Sequence, residues 1–442
     1  MDVLEESAAG LDVHKETVVA CVLKGPAKGP IERVVKTFGT TTRALLELRE
    51  WLEAFAVGVV AMEATGVYWR PVFNVLQHDA PLEGEAAGLR LVLANPARIK
   101  NVPGRKTDVN DAEWIAQLAR HGLIAASFVP PRPIREIRDL ARYRKKLVGD
   151  MSAEKNRAQK VLEDANIKLG SVASDVFGAS GRAMITDIIG GEMNGEKLAA
   201  HARGRLRKKS GPLAEALEGR PNAAHRFLLR EIVHHVEFLE KAIETVEAEL
   251  SDRLSTHEPI LVKLQTIPGV SVTVATALLA ELGTDMSVFP SADHAASWAG
   301  VSPGSFESAG KKKSARVLKG RTWLKTMLCE AAWGAIHTKN CYLSAKYFKL
   351  RARRGFQKAL MAIAHKILVA AYWILKTGQG YLELGGAYLD QLHQDRRREA
   401  LVRGLQALGF DVRLTPKADP TAQEAVSPET QADPTVEEAV ST

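Results

Sequence analysis

The sequence predicts a multidomain α/β plus α protein, and three observations carry that prediction. The first 125 or so residues alternate strand and helix patterns, the stretch from about Ile134 turns to long charged helix, and Ala-, Leu- and Trp-rich helices follow from about residue 259 to Leu382. A chain of 442 residues has room for two or three domains with proper cores. The expected divisions are 1–130 for an α/β domain, 131–258 for a helical, coiled-coil-like connector and 259–385 for a mainly helical C-terminal domain. Residues 386–442 form a C-terminal extension whose acidic tail begins near 418.

In order, "LDVHKETVVACVLK" reads as a strand, a turn and a second, valine-rich strand. "TTRALLELREWLEAF" is a helix, because Leu45, Leu48, Leu52 and Phe55 fall on one face. A short apolar strand "VGVVAMEA", a helical "GVYWRPVFNVLQ", a strand "LRLVLANP" and a helix "DVNDAEWIAQLARHG" stopping at Gly122 complete the first domain. Further on, Leu229, Ile232, Val236, Leu239, Ile243, Val246 and Leu250 keep a 3-4 alternation, the seam of either a packed helical hairpin or a dimerising coiled coil. "LQTIPGVSVTVATALLAELG" resembles a helix-hairpin-helix element, in which turn amides and a helix N-terminus can hold a DNA phosphate. The tail repeats "ADPTAQEAVS" as "ADPTVEEAVS" and, without a core, is expected to be disordered.

Charge narrows the function classes. The net charge is +8, but six acidic residues and no Lys or Arg follow Ala418; without those six it becomes +14. A body this basic points to a polyanion, most often nucleic acid, against the alternative of solubility charge alone. Cys21, Cys329 and Cys341 are widely separated, which argues against a disulfide framework or zinc module. Acidic Glu5 and Glu6 stand where a signal peptide would be basic, and no apolar run approaches the ~20 residues a membrane helix needs. A cytoplasmic protein without a membrane partner is expected.

Four carboxylates stand where chemistry would want them. Asp12 in "GLDVHK" and Glu63 in "VVAMEATG" lie in or at the end of apolar strands; Asp108 and Asp111 in "KTDVNDAEW" are three apart at a helix start. Unpartnered carboxylates at such places are costly, so each needs a counter-charge or a cation. Mg²⁺ is the economical answer: two ions ~4 Å apart activate the attacking oxygen and stabilise the leaving one in phosphodiester transfer. The arrangement resembles an RNase H-like nuclease core. One of the helical pair could instead cap the helix, and His14 and Lys15 read as bystanders.

Far downstream, "GVSPGSFESAGKKKSARVLKGR" sets Ser302, Ser305 and Ser308 beside a basic run. With the stretches "GLDVHKETV", "MEATGVYW", "KTDVNDAEWIAQL", "IPGVSVTVATALLAELG" and "WAGVSPGSFESAGKKKSARVLKGRTWLKTMLCEAAW", the chain resembles DEDD-type transposases of the insertion-sequence-one-ten family. The likeness runs to about residue 385. It implies a RuvC-like (RNase H-like) N-terminal domain, a coiled-coil connector and a C-terminal transposase domain with a nucleophilic serine. It also implies Mg²⁺ (or Mn²⁺) held by Asp12, Glu63, Asp108 and Asp111, donor and target DNA, a structured bridge RNA that guides the assembly, and a homo-oligomer. The family serine falls on Ser308, although this chain reads Ser-Ala-Gly where others read Ser-Ser-Gly and its loop is one residue longer.

Phosphate contacts are expected from Lys311, Lys312, Lys313, Arg316, Lys319, Arg321 and Lys325, with further clusters at Arg203–Lys209 and Arg351–Arg354. Two other readings stay open: a junction nuclease that cuts with activated water, and a non-catalytic nucleic-acid scaffold.

Overall fold

The computed structural model describes residues 3–64, 66–77, 89–96, 99, 111–304, 306–308, 311–314, 317 and 323–414. Its N-terminal part is built on a five-stranded sheet of order β3-β2-β1-β4-β5. The strands are β1 (Ser7–Val13), β2 (Thr17–Lys24), β3 (Glu32–Gly39), β4 (Val59–Glu63) and β5 (Arg90–Ala94). The first three form an antiparallel meander; β4 and β5 run parallel to β1. The sequence reading missed β3, whose residues are mostly exposed at the sheet edge and leave no apolar signal.

Side-chain alternation fixes what each face of the sheet does. Leu11, Val13, Val60 and Met62 point to one side, where they bury Leu45, Leu48 and Leu52 of α1 (Thr42–Ala54) and Val72, Phe73 and Leu76 of α2 (Trp69–Leu76). Thr41 caps α1 by accepting from the Ala44 amide, and the leucine spacing read from the sequence is the face that packs. Ala8, Cys21, Leu23 and Ala61 point to the other side, under α3 (Asp111–Arg120). Gly10 permits that packing. A Cβ there would lie 2.1 Å from the Ala112 carbonyl oxygen and 2.3 Å from the Ala116 nitrogen.

Two long helices, α4 (Arg132–Asp164) and α7 (Ala223–Leu254), then pack antiparallel within the chain. Ile134 and Ile137 share a core with Leu250 and Leu254, Leu147 with Leu239 and Ile243, and Ala158 and Leu162 with Leu229, Ile232 and Val236. The seam read from the sequence is therefore covered by α4 of the same chain. Cross-helix pairs line its edges: Arg253–Glu136 at 2.5 Å, Arg144–Glu247, and His225–Asp164 at 2.8 Å. Between the long helices, α5 (Ala179–Gly190), α6 (Ser210–Leu217) and shorter turns close a small core over the hairpin tip.

The remaining helices form the largest core: α8 (Glu258–Gln265), α9 (Val272–Leu282), α10 (Trp323–Ile336), α11 (Tyr342–Arg354) and α12 (Phe356–Thr377). α12 corrects one expectation. An 18-residue window of this 22-residue helix has a mean hydropathy of 1.5, so the helix is long and apolar enough by composition to cross a membrane. Here Ile363, Ala364, Ile367, Leu368, Ala371 and Tyr372 are buried against the other helices as the centre of this core. In the α8–α9 turn, Gly269 (φ +83°) abuts α10: a Cβ would sit 2.2 Å from the Ala331 oxygen. The close approach this glycine permits is to a helix of the same chain, while Ser271 caps α9.

The start of α4 joins the two halves. Arg135 donates to Asn74 Oδ1 and Gln77 Oε1, both at 2.7 Å, on the sheet side. Arg138 donates to the carbonyls of Ala280 and Glu281 at 2.9 and 2.8 Å, and Arg142 grips the buried Glu281 carboxylate through two bonds of 2.8 and 2.9 Å. Burial lowers the Arg138 guanidinium to about 10, an effect opposed by Glu281, so it stays charged at neutral pH. Phe128 adds an aromatic wedge against Phe289 and Trp298, with centroids 5.3 and 5.9 Å away. α13 (Tyr388–Ala407) ends the described helices, and the acidic repeat tail lies outside the described residues.

Candidate active site

Asp12 and Glu63 come together through strand register. β1 and β4 pair in parallel with Leu11 opposite Met62, so the next step places Asp12 beside Glu63 at the carboxyl ends of both strands. Leu11 and Met62 face the α1–α2 core; by alternation Asp12 and Glu63 project to the α3 side. α3 runs opposite to β1: Ala112 lies against Gly10, while the Arg120 carbonyl accepts from the amides of Leu4 and Glu5. Its first residue, Asp111, therefore sits at the Asp12 end of the sheet, exposed to solvent. The helix dipole there favours negative charge, which suits both a row of carboxylates and the Glu113 of the same turn. Glu113 is engaged elsewhere, 2.7 Å from Arg33.

Asp12 is partly open, its side chain 26% exposed, and its Oδ2 lies 3.0 Å from His14 Nε2. Sequence reasoning left His14 outside the site; its reach to Asp12 depends on the β1–β2 turn, where the His14 amide donates to the Thr17 carbonyl. Lys15 stays at that exposed turn and gives its carbonyl to Thr40. Asp108 lies outside the described residues. Among the described residues no three His, Cys, Asp or Glu side chains converge as a metal site. Asp12 and Glu63, side by side by strand register, and Asp111 at the same sheet end offer carboxylate oxygen, the hard-ligand chemistry that suits Mg²⁺ or Mn²⁺.

The serine stretch is not simply a loop. Phe306–Ser308 and Lys311–Ser314 pair as a short antiparallel ribbon, β6 and β7, with a register shift between Phe306 and Glu307. Ser308 ends β6 opposite Lys311, and Glu307 pairs with Lys312, so the backbone brings the proposed nucleophile directly against the lysine run. Three-residue strands with a bulge fall below what periodicity detects. Ser302 lies just before the ribbon, half-buried; Ser305, Arg316, Lys319 and Arg321 lie outside the described residues. Lys313 continues β7, and Lys325 is half-buried on the first turn of α10. Of the other basic clusters, Arg203–Lys209 surrounds a 3-10 turn and Arg351–Arg354 closes α11, both largely exposed.

Comparison with known proteins gives two family matches. Residues 9–167 match the DEDD transposase family of the IS110 group, described as a transposase, and residues 262–349 match the transposase IS116/IS110/IS902 family. No curated protein matches the chain in sequence. The first match contains the sheet with Asp12, Glu63 and Asp111, the second the ribbon with Ser308. The chain thus carries two regions that match transposase domains of the IS110 family, which supports an enzyme acting on DNA.

Proposed function

We propose that this protein is a DNA transposase that cuts and exchanges strands through a covalent phosphoserine intermediate at Ser308, assisted by a divalent metal at Asp12, Glu63, Asp108 and Asp111. The observation that carries this reading is the meeting of Asp12 and Glu63 at the carboxyl ends of two parallel strands, with Asp111 opening the helix on the same face. The strand order, with its antiparallel meander beside parallel strands, supports an RNase H-like, RuvC-like reading of this domain. Mg²⁺ or Mn²⁺ bound by these oxygens would supply Lewis acidity toward a phosphate.

In the proposed step the Ser308 hydroxyl oxygen forms a bond to phosphorus, the phosphorus–oxygen bond to one sugar breaks, and the serine proton passes to a nearby base. The departing sugar oxygen takes up a proton and becomes a free hydroxyl. A second strand's hydroxyl then reverses the attack and releases the serine. Serine needs activation for this, and the carboxylate cluster is the source proposed. Lys311 and Lys312, paired across the ribbon from Ser308 and Glu307, would offset the charge that builds on the phosphate oxygens. Exchange at two DNA sites requires at least two such centres, hence a dimer or larger. Guidance by a structured RNA rests on the family resemblance and is consistent with the net charge of +8.

The test is a trapping assay in cells that carry the gene with its flanking DNA. After lysis in SDS, the protein should retain a covalently bound DNA strand. Ser308→Ala should abolish that adduct while non-covalent DNA binding persists, and Asp12→Asn should reduce strand cleavage by about 10³-fold or more. An adduct formed by Ser308→Ala at the normal rate would remove the nucleophile assignment. Cleavage without any adduct would favour the junction-nuclease reading, and activity unchanged in Asp12→Asn, or no dependence on Mg²⁺ at all, would favour the scaffold reading in which these carboxylates only cap and pair.

A further inference from the structure

Away from the carboxylates and the ribbon, the corner where α10, α11 and α12 meet exposes a cluster of aromatic rings. Trp333, Phe348 and Phe356 are 49%, 54% and 44% exposed. They form one ladder over the buried Tyr347: Trp333 to Phe356 is 5.7 Å between centroids, Phe356 to Tyr347 6.3 Å, and Tyr347 to Phe348 5.2 Å. His337 extends it, 5.0 Å from Trp333. Gly355, with φ +78° and open space where its Cβ would be, turns the chain from α11 into α12 and sets Phe356 at the corner.

The surroundings are mainly positive, although Glu330 lies one turn before Trp333 and Asp390 pairs with Lys349. From residue 331 to 382 there are nine Lys and Arg residues and no Asp or Glu. Arg351, Arg353, Arg354 and Lys358 are exposed, and none has an ion-pair partner among the described residues. Arginines in the last turn of a helix are expected from its dipole alone. The dipole does not account for half-exposed rings beside them. Nor are those rings covered from within: among the described residues, no cation packs over Trp333, Phe348 or Phe356. Half-exposed rings beside unpaired guanidinium groups match what single-stranded nucleic acid offers, bases to stack and phosphates to neutralise.

We propose that this corner is a stacking platform for unpaired nucleotides of a DNA strand. The inference rests on the proposed function, because strand exchange creates unpaired DNA next to the serine ribbon. α10 begins at Trp323, just after that ribbon, and Trp333 lies about 15 Å along its axis.

The experiment measures fluorescence anisotropy of the full-length protein with a 20-nucleotide thymidine strand, a DNA duplex of equal length and the corresponding uridine RNA. The double variant Trp333→Ala/Phe356→Ala should weaken single-strand DNA binding by about 20-fold or more and change duplex binding less than about threefold. Trp333→Phe should restore most of the loss. Arg353→Ala/Arg354→Ala should weaken single strand and duplex alike and flatten the salt dependence. No loss, or an equal loss on duplex, overturns the platform. A loss confined to RNA overturns its assignment to DNA, and a change in sedimenting mass in the double variant assigns this face to a second copy instead. The adduct assay is read independently: an adduct that persists in Ser308→Ala, with intact single-strand preference, removes the catalytic reading alone, and a Ser308-dependent adduct without single-strand preference removes the platform alone.

Discussion

Asp12 and Ser308 are held by very different amounts of structure. Asp12 sits on β1, which is paired along seven positions with β2 and along four with β4, and is clamped between two helical layers. A one-residue slip there would turn Asp12 into the α1–α2 core, so the register is fixed by the burial of Leu11 and Val13. Ser308 sits on a ribbon of three and four residues with an irregular register. A two-stranded ribbon is marginal on its own, so its position follows from what it joins and what it binds. The core thus holds Asp12 and Glu63 side by side, whereas Ser308 is held by a short ribbon alone.

Two glycines offer the largest test of that contrast, since each supports one half. Gly269→Val would combine a 2.2 Å clash with the Ala331 oxygen and a left-handed φ of +83°, and should cost at least about 4 kcal/mol in the helical core. Gly10→Val would drive α3 off β1 and cost at least about 3 kcal/mol without the backbone strain. Hydrogen exchange should show Gly10→Val opening the amides of β1, β2 and β4 while α12 stays protected, and Gly269→Val doing the reverse. If either variant opens both regions equally, the halves fold as one unit and the contrast collapses.

The coupling between halves runs through Glu281. Glu281→Ala leaves Arg142 without its bidentate partner and Arg138 without a neighbouring carboxylate, and should cost about 3 kcal/mol. Because α4 also carries Arg135 to α2, the loss should split a single thermal transition into two. A calorimetric trace that stays single and merely shifts would mean the halves are joined mainly elsewhere, for instance at Phe128.

Much of this was legible in the sequence, for physical reasons. Leu45, Leu48 and Leu52 announced α1, and apolar runs, valine-rich in β2, announced β1, β2 and β4, because each of these strands is buried in the sheet. The heptad seam on α7 was visible, but its partner was not, since a seam looks the same whether α4 or a second chain covers it. Asp12 and Glu63 stood out as charges in apolar strands; their adjacency needed the strand order. β3 escaped because its residues are mostly exposed at the sheet edge, and the β6–β7 ribbon because strands of three and four residues are too short for periodicity to show. The reasons for Gly10 and Gly269 are contacts with Ala112 and Ala116 in the one case and with Ala331 and Ala335 in the other, all far downstream. No local pattern records those.

The smallest expected effect comes from His365 on α12, in the half that holds the ribbon. Burial pushes its imidazole below the ordinary value of 6.5, with Asp293 opposing and Lys366 adding to the shift. Its Nδ1 is buried without a hydrogen-bond partner, and Nε2 lies 3.9 Å from Asp293 Oδ1. The unfolded chain therefore binds this proton more readily than the folded one. The stability that neutral His365 allows is fully present above pH 6.5 and is lost as pH falls through the lowered folded value. Melting temperature measured between pH 8 and 5 should drop on the acid side, with the drop confined to the helical core's transition if Glu281→Ala has separated the two. His365→Gln should flatten that acid slope. An unchanged slope in the variant would place the acid sensitivity on other groups, and the same drop in the sheet's transition would show that protons act on both halves alike.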